Sequence, residues 1–191
     1  MSLIYLVQHG EKQPEPGDPG LTDRGRWQAD CAARLLRDAG ITSVFSSPLL
    51  RAAQTAERIA AVAGLGVTVD DRLRERMNWD GHRPIGEFLI DWSRSVRERD
   101  FVPAGGYSSH QAAERMRAFL TEAAPAEPIA VVTHGGITVD LLRSLLGDAA
   151  VPARLLHEGV PSAAITTIDG FSVVRIAATT HLDELPRRGA R

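Results

Sequence analysis

The chain has 191 residues, of which 43% are hydrophobic and 24% are charged, and its formal net charge is −2. This length favours a single α/β domain over 1–185 with a frayed basic tail at 186–191, and the balanced charge argues against a nucleic-acid partner. The single cysteine, Cys31, excludes an internal disulfide and a cysteine-based metal site.

The first predicted element is a strand over residues 3–7, which are apolar and partly β-branched. The polar sequence Gln8, His9, Gly10 follows at once. An apolar run that stops in this way is typical of a strand buried on both faces of a parallel sheet. Because ligands bind at the carboxyl ends of such strands, His9 is a candidate functional residue. One histidine at a strand end is more often structural, so this motif alone decides nothing.

A helix is predicted after the loop at 12–20, which is rich in proline and glycine. Thr22 has the position of an N-cap, and Gly40 has that of a terminating glycine. Apolar residues, among them Trp27 and Leu35, recur at helical spacing between these ends. We therefore expect them to face the core.

The next strand and helix repeat this order. An apolar strand at 41–45 runs into Ser47 and Pro48, a combination that favours an N-cap followed by the first helical position. Arg51 then falls in the first turn of the helix, and Leu50 is expected on its buried face.

A short strand at 67–69 completes the repeated strand-helix pattern, which indicates a parallel sheet. The segment that follows, 70–83, mixes charged residues with one tryptophan and has no clean period. Its composition fits a ligand-facing loop and a solvated surface loop about equally well. It carries Glu75, a further candidate for the site.

Two more helices are predicted in the middle of the chain. The first, over 84–99, has an amphipathic pattern that places Trp92 in the core. The second begins where Ser108 and Gln111 supply a capping-box pattern.

A second strand, at 129–133, ends in His134 and Gly135 and so repeats the pattern of the first. Two later strands, at 163–168 and 171–176, are joined by an Asp-Gly pair that favours a hairpin turn. The predicted fold is therefore α/β with a mainly parallel mixed sheet.

Three strand ends thus bring His9, Arg51 and His134 to one crevice beside the loop of Glu75. Two histidines and a carboxylate are acceptable zinc or iron ligands, but the fixed charge of arginine opposes a cation in the same place. Imidazoles, a guanidinium group and helix N-termini suit a phosphate group instead. We therefore expect neither a metal nor a cofactor.

These residue types can carry out phosphoryl transfer. A neutral imidazole accepts a phosphoryl group and passes it to water, while Arg51 and the second imidazole stabilise charge on the phosphoryl oxygens. Glu75 would protonate the departing alkoxide. The expected substrate-binding residues are neighbours of these along the chain, namely Gln8, Gly10, Lys12 and Gly135.

Five segments together resemble the histidine phosphatase superfamily, whose fold is phosphoglycerate-mutase-like. They are Leu-Val-Gln-His-Gly-Glu-Lys at 6–12, Leu-Thr-Asp-Arg-Gly at 21–25, Ser-Ser-Pro-Leu-Leu-Arg-Ala-Ala-Gln-Thr-Ala at 46–56, Leu-Arg-Glu at 73–75 and Thr-His-Gly-Gly at 133–136. The resemblance implies a three-layer α/β/α fold. It implies His9 as the phosphorylated nucleophile, Arg51 and His134 as phosphate ligands, and Glu75 as the proton donor.

One position departs from that family, which has an arginine immediately before the nucleophilic histidine where this chain has Gln8. An amide donates hydrogen bonds but carries no charge. Losing the ionic part of such a bond lowers phosphate affinity or rate about tenfold to a hundredfold. Either Lys12 or an arginine of the 72–83 loop compensates, or the enzyme is weak or specialised.

Three functions stay open at this point. The favoured one is a phosphatase for a small phosphomonoester. The second is a phosphoglycerate-mutase-like phosphoryl transferase, although mutases that resemble this chain are usually longer. The third, suggested by Gln8, is a weakly active or inactive protein that binds a ligand at the phosphate site.

The expected partner is a small phosphorylated substrate, with no nucleic acid and no membrane, and a homo-oligomer stays open. The sequence shows no leader pattern and no apolar run of membrane-spanning length. We therefore expect a cytoplasmic location.

Overall fold

The computed structural model describes residues 3–123 and 126–183. Within these ranges, six strands form one sheet in the order β3-β2-β4-β1-β5-β6. The strands are β1 (Leu3–Gln8), β2 (Ser43–Ser46), β3 (Val67–Val69), β4 (Ile129–Thr133), β5 (Ile165–Asp169) and β6 (Ser172–Ala178). Strands β1 to β4 pair in parallel, whereas β5 pairs antiparallel with both β1 and β6. The predicted mainly parallel mixed sheet is confirmed.

Helices cover both faces of this sheet. They are α1 (Asp23–Asp38), α2 (Leu50–Ala63), α3 (Ile85–Arg97), α4 (Ser109–Ala123), α5 (Gly135–Leu146) and α6 (Ala153–His157). Side chains of α1 and α2 form one core cluster with the sheet, and side chains of α4 and α5 form another on the opposite face. The three-layer α/β/α fold is therefore confirmed, while the predicted tail at 186–191 lies outside the described residues.

Helix α1 begins as predicted but buries a different face. The Oγ1 atom of Thr22 accepts a hydrogen bond from the backbone N–H of Gly25 at 2.9 Å, which is the expected N-cap. Leu35, predicted to face the core, is 44% exposed. The buried residues include three alanines on α1 and three on α2, and such small side chains let the two neighbouring helices approach closely.

Helix α2 does not begin at Ser47 and Pro48 as predicted. It begins at Leu50, and its N-cap, Leu49, makes no side-chain capping bond. The hydroxyl of Ser47 accepts from the backbone N–H of Leu49 at 3.3 Å, before the helix, and is also hydrogen-bonded to Nε2 of His134 at 2.7 Å. Leu50 was predicted to be buried but is 42% exposed, since the first turn of α2 lies at the rim of the site described below.

Other local predictions are confirmed. Ser108 and Gln111 form a reciprocal capping box, in which each side chain accepts from the backbone N–H of the other at 3.2 and 2.9 Å. Strands β5 and β6 form the predicted hairpin, with Gly170 at a φ of +57° in the turn. Such a positive φ favours glycine.

Helix α3 is amphipathic as predicted, yet its apolar face does not pack into the core. Ser95 is its only fully buried residue. Trp92, predicted to lie in the core, is half-buried and lines a cavity together with Ile85, Phe88 and Val96. The periodicity correctly identified the apolar face of α3 but not what lies against it, because a helix pattern does not distinguish a packed neighbour from an open pocket.

Candidate active site

The sheet topology brings the two predicted histidines together. Strands β1 and β4 are adjacent and parallel, with Gln8 opposite Thr133, so the residue after each strand projects from the same edge. The rings of His9 and His134 meet edge to face with their centroids 5.2 Å apart. Strand β2 pairs with the other side of β4 and delivers Arg51 in the first turn of α2.

His9 is held in one orientation. Its Nδ1 lies 2.7 Å from the carbonyl oxygen of Gly10. Because a carbonyl oxygen only accepts, Nδ1 carries the proton and Nε2 keeps its lone pair. Burial, and then the charge of Arg51, lowers the pKa of His9 to about 3. The ring is therefore a neutral base at physiological pH.

Two donors converge on that lone pair. The Nε atom of Arg51 and the side-chain amide nitrogen of Gln8 each lie 3.2 Å from Nε2 of His9. Arg51 is only 4% exposed, and its Nη2 donates to Oδ1 of Asn78 at 3.1 Å. The predicted guanidinium and nucleophile are thus in direct contact.

Three buried polar atoms around His9 make no hydrogen bond to any described residue: Oε1 of Gln8, Nη1 of Arg51 and Nδ1 of His134. Buried polar groups in folded proteins are nearly always paired, so such a cluster is typical of a place that receives a polar ligand. The carboxylate of Asp18 lies 3.7 Å from Nη1 of Arg51. Burial, followed by the influence of His9 and Arg51, holds the pKa of His134 well below its usual range.

Glu75 lines the same cavity as His9 and Arg51. One oxygen, Oε2, accepts from the backbone N–H of Gly136 at 2.8 Å, and the other, Oε1, accepts from those of Ile137 and Arg76 at 3.0 and 2.8 Å. The first two donors are the N-terminus of α5. Residues 75–79 of the loop at 70–83 thus line the cavity, and a role of this loop in ligand binding stays a prediction.

Gly136 is what lets Glu75 reach that helix. A Cβ atom at this position would lie 2.5 Å from Oε1 of Glu75 and 2.9 Å from the ring of Trp92. Both are closer than real contacts, so any side chain here would displace the carboxylate or the indole. The second glycine of the His-Gly-Gly motif thus leaves the space that the carboxylate of Glu75 and the indole of Trp92 occupy.

The remaining predicted substrate-binding residues occupy different positions. Lys12 lines the cavity from an exposed position, and its Nζ donates to the carbonyl oxygen of Gln13 at 3.2 Å. Gly135 also lines the cavity beside Gln8. The N–H of Gly10 already donates to Oγ1 of Thr55 at 3.1 Å, and their roles in substrate binding stay predictions.

Sequence reasoning missed several residues that support the site. Asn78 accepts from Arg51 and donates to the carbonyl of Gly17 at 2.6 Å, which ties the loop at 70–83 to the loop at 12–20. Asp18 accepts from the N–H of Leu50 at 2.8 Å, at the start of α2. Both residues lie in loops without a periodic pattern, so the sequence pointed to the two loops but not to these residues.

A buried ion pair lies behind Glu75. Nη1 of Arg76 donates to both oxygens of Asp140 at 2.8 and 3.0 Å, and Ser109 donates to one of them at 2.6 Å. The guanidinium also lies over the ring of Trp92, 4.3 Å from its centroid. Burial raises the pKa of Asp140 to about 6, against the opposite influence of Arg76. This pair fixes the loop that presents Glu75.

The whole cavity measures about 580 Å³. Its lining comes from the ends of β1, the loops at 12–20 and 70–83, and helices α3, α5 and α6. Within the part of the chain that the structure describes, there is no group of three or more His, Cys, Asp or Glu residues able to hold a metal ion. No helix in residues 3–123 or 126–183 is long and apolar enough to cross a membrane.

The fold and the site together define a class of protein: α/β proteins with two histidines, an arginine and a carboxylate at a cavity on the carboxyl edge of the sheet. The sequence model of the histidine phosphatase superfamily (branch 1) matches residues 4–173. The chain belongs to this superfamily, which confirms the resemblance drawn from its motifs.

Known relatives include both mutases and phosphatases. A probable phosphoglycerate mutase, GpmB, of Yersinia pestis is 31% identical over 96% of this chain and 96% of its own. The structure is similar to a mycobacterial glucosyl-3-phosphoglycerate phosphatase in complex with VO3, with a TM-score of 0.76 and 26% identity over 94% of this chain and 100% of that one. It shares its fold with an Entamoeba histolytica phosphoserine phosphatase, with a TM-score of 0.71 and 24% identity over 95% of this chain and 100% of that one.

Proposed function

We propose that this protein hydrolyses a small phosphomonoester through a phosphohistidine intermediate on His9. The observation that carries the proposal is the state of that ring. It is neutral, its Nδ1–H is engaged by Gly10, and its Nε2 lone pair lies between two hydrogen-bond donors at the cavity. Such a nitrogen is a competent nucleophile toward phosphorus.

In the first step, Nε2 forms a bond to phosphorus while the bond from phosphorus to the ester oxygen breaks. The donors that now contact Nε2, on Gln8 and Arg51, are then free to bind the phosphoryl oxygens. Arg51 supplies the fixed positive charge. Nδ1 of His134, which has no partner among the described residues, is a further contact for the phosphoryl oxygens. Electrostatic stabilisation of this kind is usually the largest contribution to phosphoryl transfer.

Glu75 is proposed to give its proton to the departing alkoxide. In the second step, water attacks phosphorus, the bond to Nε2 breaks, and the carboxylate takes the proton of that water. Oε2 accepts one N–H, whereas Oε1 accepts two. Since a carboxylate oxygen has two lone pairs, Oε2 is the atom that can carry the transferred proton.

A rapid-quench experiment tests the proposal. Mixing the protein with a ³²P-labelled aryl phosphate and quenching in alkali should trap a phosphate group that is stable to base and labile to acid. The His9→Ala variant should show neither trapping nor turnover. His110→Ala is the matched control, because His110 pairs with Asp100 on an exposed surface away from the cavity.

The opposite result would contradict the proposal: turnover by the His9→Ala variant at the wild-type rate. A protein that binds phosphate yet gives no phosphoenzyme and no turnover would support the binding-protein alternative. Turnover should also continue in excess chelator, since the site residues supply all the donors that the steps above require. Loss of activity that added Mg²⁺ or Zn²⁺ restores would contradict this expectation.

The relative named a probable phosphoglycerate mutase favours a second candidate reaction. In it, the same phosphohistidine returns its phosphoryl group to another hydroxyl. The expected greater length of mutases does not separate the two, because this chain covers 96% of that relative. Movement of label within phosphoglycerate without release of inorganic phosphate would identify the mutase reaction.

The proposal includes a small phosphorylated molecule as the partner and the cytoplasm as the location. The lining of the cavity supports the first, and the second stays an expectation drawn from the sequence. Cell fractionation with an antibody to the chain tests the location, and sedimentation of the purified protein tests for a homo-oligomer.

A further inference from the structure

The cavity has two chemically different ends. At one end lie the site residues, including His9, Arg51 and Glu75. The rest of the lining is mostly apolar and comes from the loop at 70–83 and from helices α3, α5 and α6. A phosphoryl group fills only the polar end, so the other end must receive the alcohol part of the substrate.

Helix α3 supplies four side chains of this apolar wall. Ile85, Phe88, Trp92 and Val96 follow one helical face, and all four line the cavity. The rings of Phe88 and Trp92 lie 6.1 Å apart with a tilt of 32°. Trp79 adds a third ring, and its Nε1–H is already used by the carbonyl of Arg83 at 2.9 Å. The wall therefore offers surface for hydrocarbon and few polar partners.

The two arginines on this wall are neutralised within the protein. Arg76 is paired with Asp140 in the buried cluster described above. Arg143, which is 5% exposed, donates to both oxygens of Asp148 at 3.0 and 2.6 Å and to the carbonyl of Val96. The charge of each guanidinium group is therefore offset by a carboxylate of the protein, although Nε of Arg76 makes no hydrogen bond to a described residue.

The other charged residues of the lining point to the same conclusion. Lys12 lies on the side of the phosphate site, near Arg51. At the exposed rim stand two carboxylates, Glu15 and Glu158, which repel an anion. Among the described residues, a ligand such as phosphoglycerate, with a carboxylate in addition to its phosphate, therefore finds no arginine or lysine without a carboxylate partner on the apolar side, where the exposed imidazole of His157 also lines the cavity.

We infer that the alcohol part of the substrate is apolar, aliphatic or aromatic, and carries no second negative charge. The inference rests on the proposed phosphatase function but concerns the far end of the cavity. It distinguishes the substrate from phosphoglycerate, from phosphoserine and from other phosphate esters with a second acidic group.

Binding of phosphonates, which cannot be hydrolysed, tests the inference independently of turnover. Affinity for n-alkylphosphonates, measured by calorimetry on the full chain, should rise about fourfold per added methylene until the cavity is filled. The hexylphosphonate analogue that ends in a carboxylate should bind about a hundredfold more weakly than hexylphosphonate, because its charge would be buried unpaired. Equal affinities along the series, or a preference for the carboxylated analogue, would overturn the inference.

Two variants and one control variant make the test specific. Phe88→Ala should flatten the dependence on chain length while leaving the affinity for inorganic phosphate unchanged, and Phe171→Ala, in the β5–β6 turn away from the cavity, should leave both unchanged. Asp148→Ala frees Arg143 and should narrow the gap between the carboxylated analogue and hexylphosphonate about tenfold. An unchanged gap would show that neutralisation of Arg143 does not set the preference.

Failure of this inference and failure of the proposed function give different results. If the protein turns over phosphoglycerate or phosphoserine faster than alkyl phosphates of similar size, the phosphatase stands and the inference falls. If no ester is turned over but alkylphosphonates bind with the expected dependence on chain length, the inferred ligand chemistry stands and the phosphatase falls.

Discussion

Nδ1 of His9 donates a hydrogen bond to the carbonyl oxygen of its neighbour Gly10 at 2.7 Å, and this one bond leaves Nε2 as the ring nitrogen with a lone pair. The contact needs only the local backbone, so it forms whenever β1 ends where it does. The proposed nucleophile is therefore oriented before any substrate binds.

The first prediction concerns the charge of that ring. His9 should stay neutral, in the Nδ1–H tautomer, throughout the range above its pKa of about 3. The unfolded chain takes up a proton near the ordinary value of about 6.5, so the stability contributed by neutral His9 is lost as pH falls from there toward 3. Imidazole ¹⁵N shifts, compared between wild type and His9→Ala, report the tautomer. A His9 resonance that titrates near neutral pH would contradict the prediction.

The second prediction concerns Gln8. Its amide is 8% exposed and contacts Nε2 of His9 without adding charge. Gln8→Arg should raise kcat/KM for nitrophenyl phosphate about tenfold, as expected for a charged hydrogen bond in place of a neutral one. Gln8→Met, which keeps the size and removes the donor, should lower it. If Gln8→Arg folds and loses activity, the amide is fitted to a particular substrate.

The third prediction concerns the proton donor. In Glu75→Gln, one amide oxygen can still accept from Ile137 and Arg76, but its NH₂ group faces the N–H of Gly136 and cannot carry the transferred proton. Activity on alkyl phosphates should fall about a hundredfold more than on nitrophenyl phosphate, whose leaving group needs no proton. Equal losses on both substrates would assign Glu75 a structural role.

The fourth prediction concerns the space left by Gly136. Gly136→Ala places a methyl group against the carboxylate of Glu75, so alkyl phosphatase activity should fall about a hundredfold. Gly66→Ala is the control, because a Cβ there meets nothing within 4 Å. Melting temperatures of both variants show whether a loss of activity comes from displacement of Glu75 or from loss of folding. Full activity in Gly136→Ala would show that the carboxylate tolerates displacement.

The fifth prediction concerns the ion pair behind the site. Asp140→Ala leaves the buried guanidinium of Arg76 without its partner and should lower the free energy of unfolding by about 3–5 kcal/mol. Asp23→Ala, which breaks the exposed pair with Arg26, should have little effect. Urea denaturation measures both. Similar small changes in the two variants would mean that the buried pair contributes little beyond its cost of desolvation.

Much of the fold could be predicted because it depends on short-range patterns. Apolar runs located the four parallel strands, and glycine and capping residues located most helix ends. Apolar spacing and capping patterns gave a wrong prediction where contacts with another element determine what a side chain does. Leu35 and Leu50 have the spacing of core residues, yet alanines form the close contact between α1 and α2. Ser47 has the position of an N-cap, yet its hydroxyl is bonded to His134.

The residues of the candidate site also fall into a group that short-range patterns could locate and a group that they could not. His9 and His134 could be located because each follows an apolar strand, and Arg51 because it opens a helix. Asn78 and Asp18 could not, since their contacts join loops that are far apart in sequence. The apolar wall of the cavity was also hidden, because Trp92 and its neighbours on α3 have the periodicity of a packed helix.

The order of strands has a consequence for synthesis of the chain. Strand β4 lies between β1 and β2, so the two strands that precede His9 and Arg51 are joined within the sheet by a strand made more than half-way along the sequence. A nascent chain that has left the ribosome only as far as α3 exposes the unpaired edges of both early strands. Such edges recruit other chains, which makes this intermediate a target for chaperones. The sheet edge that carries both His9 and Arg51 therefore forms late, when β4 pairs with β1 and β2.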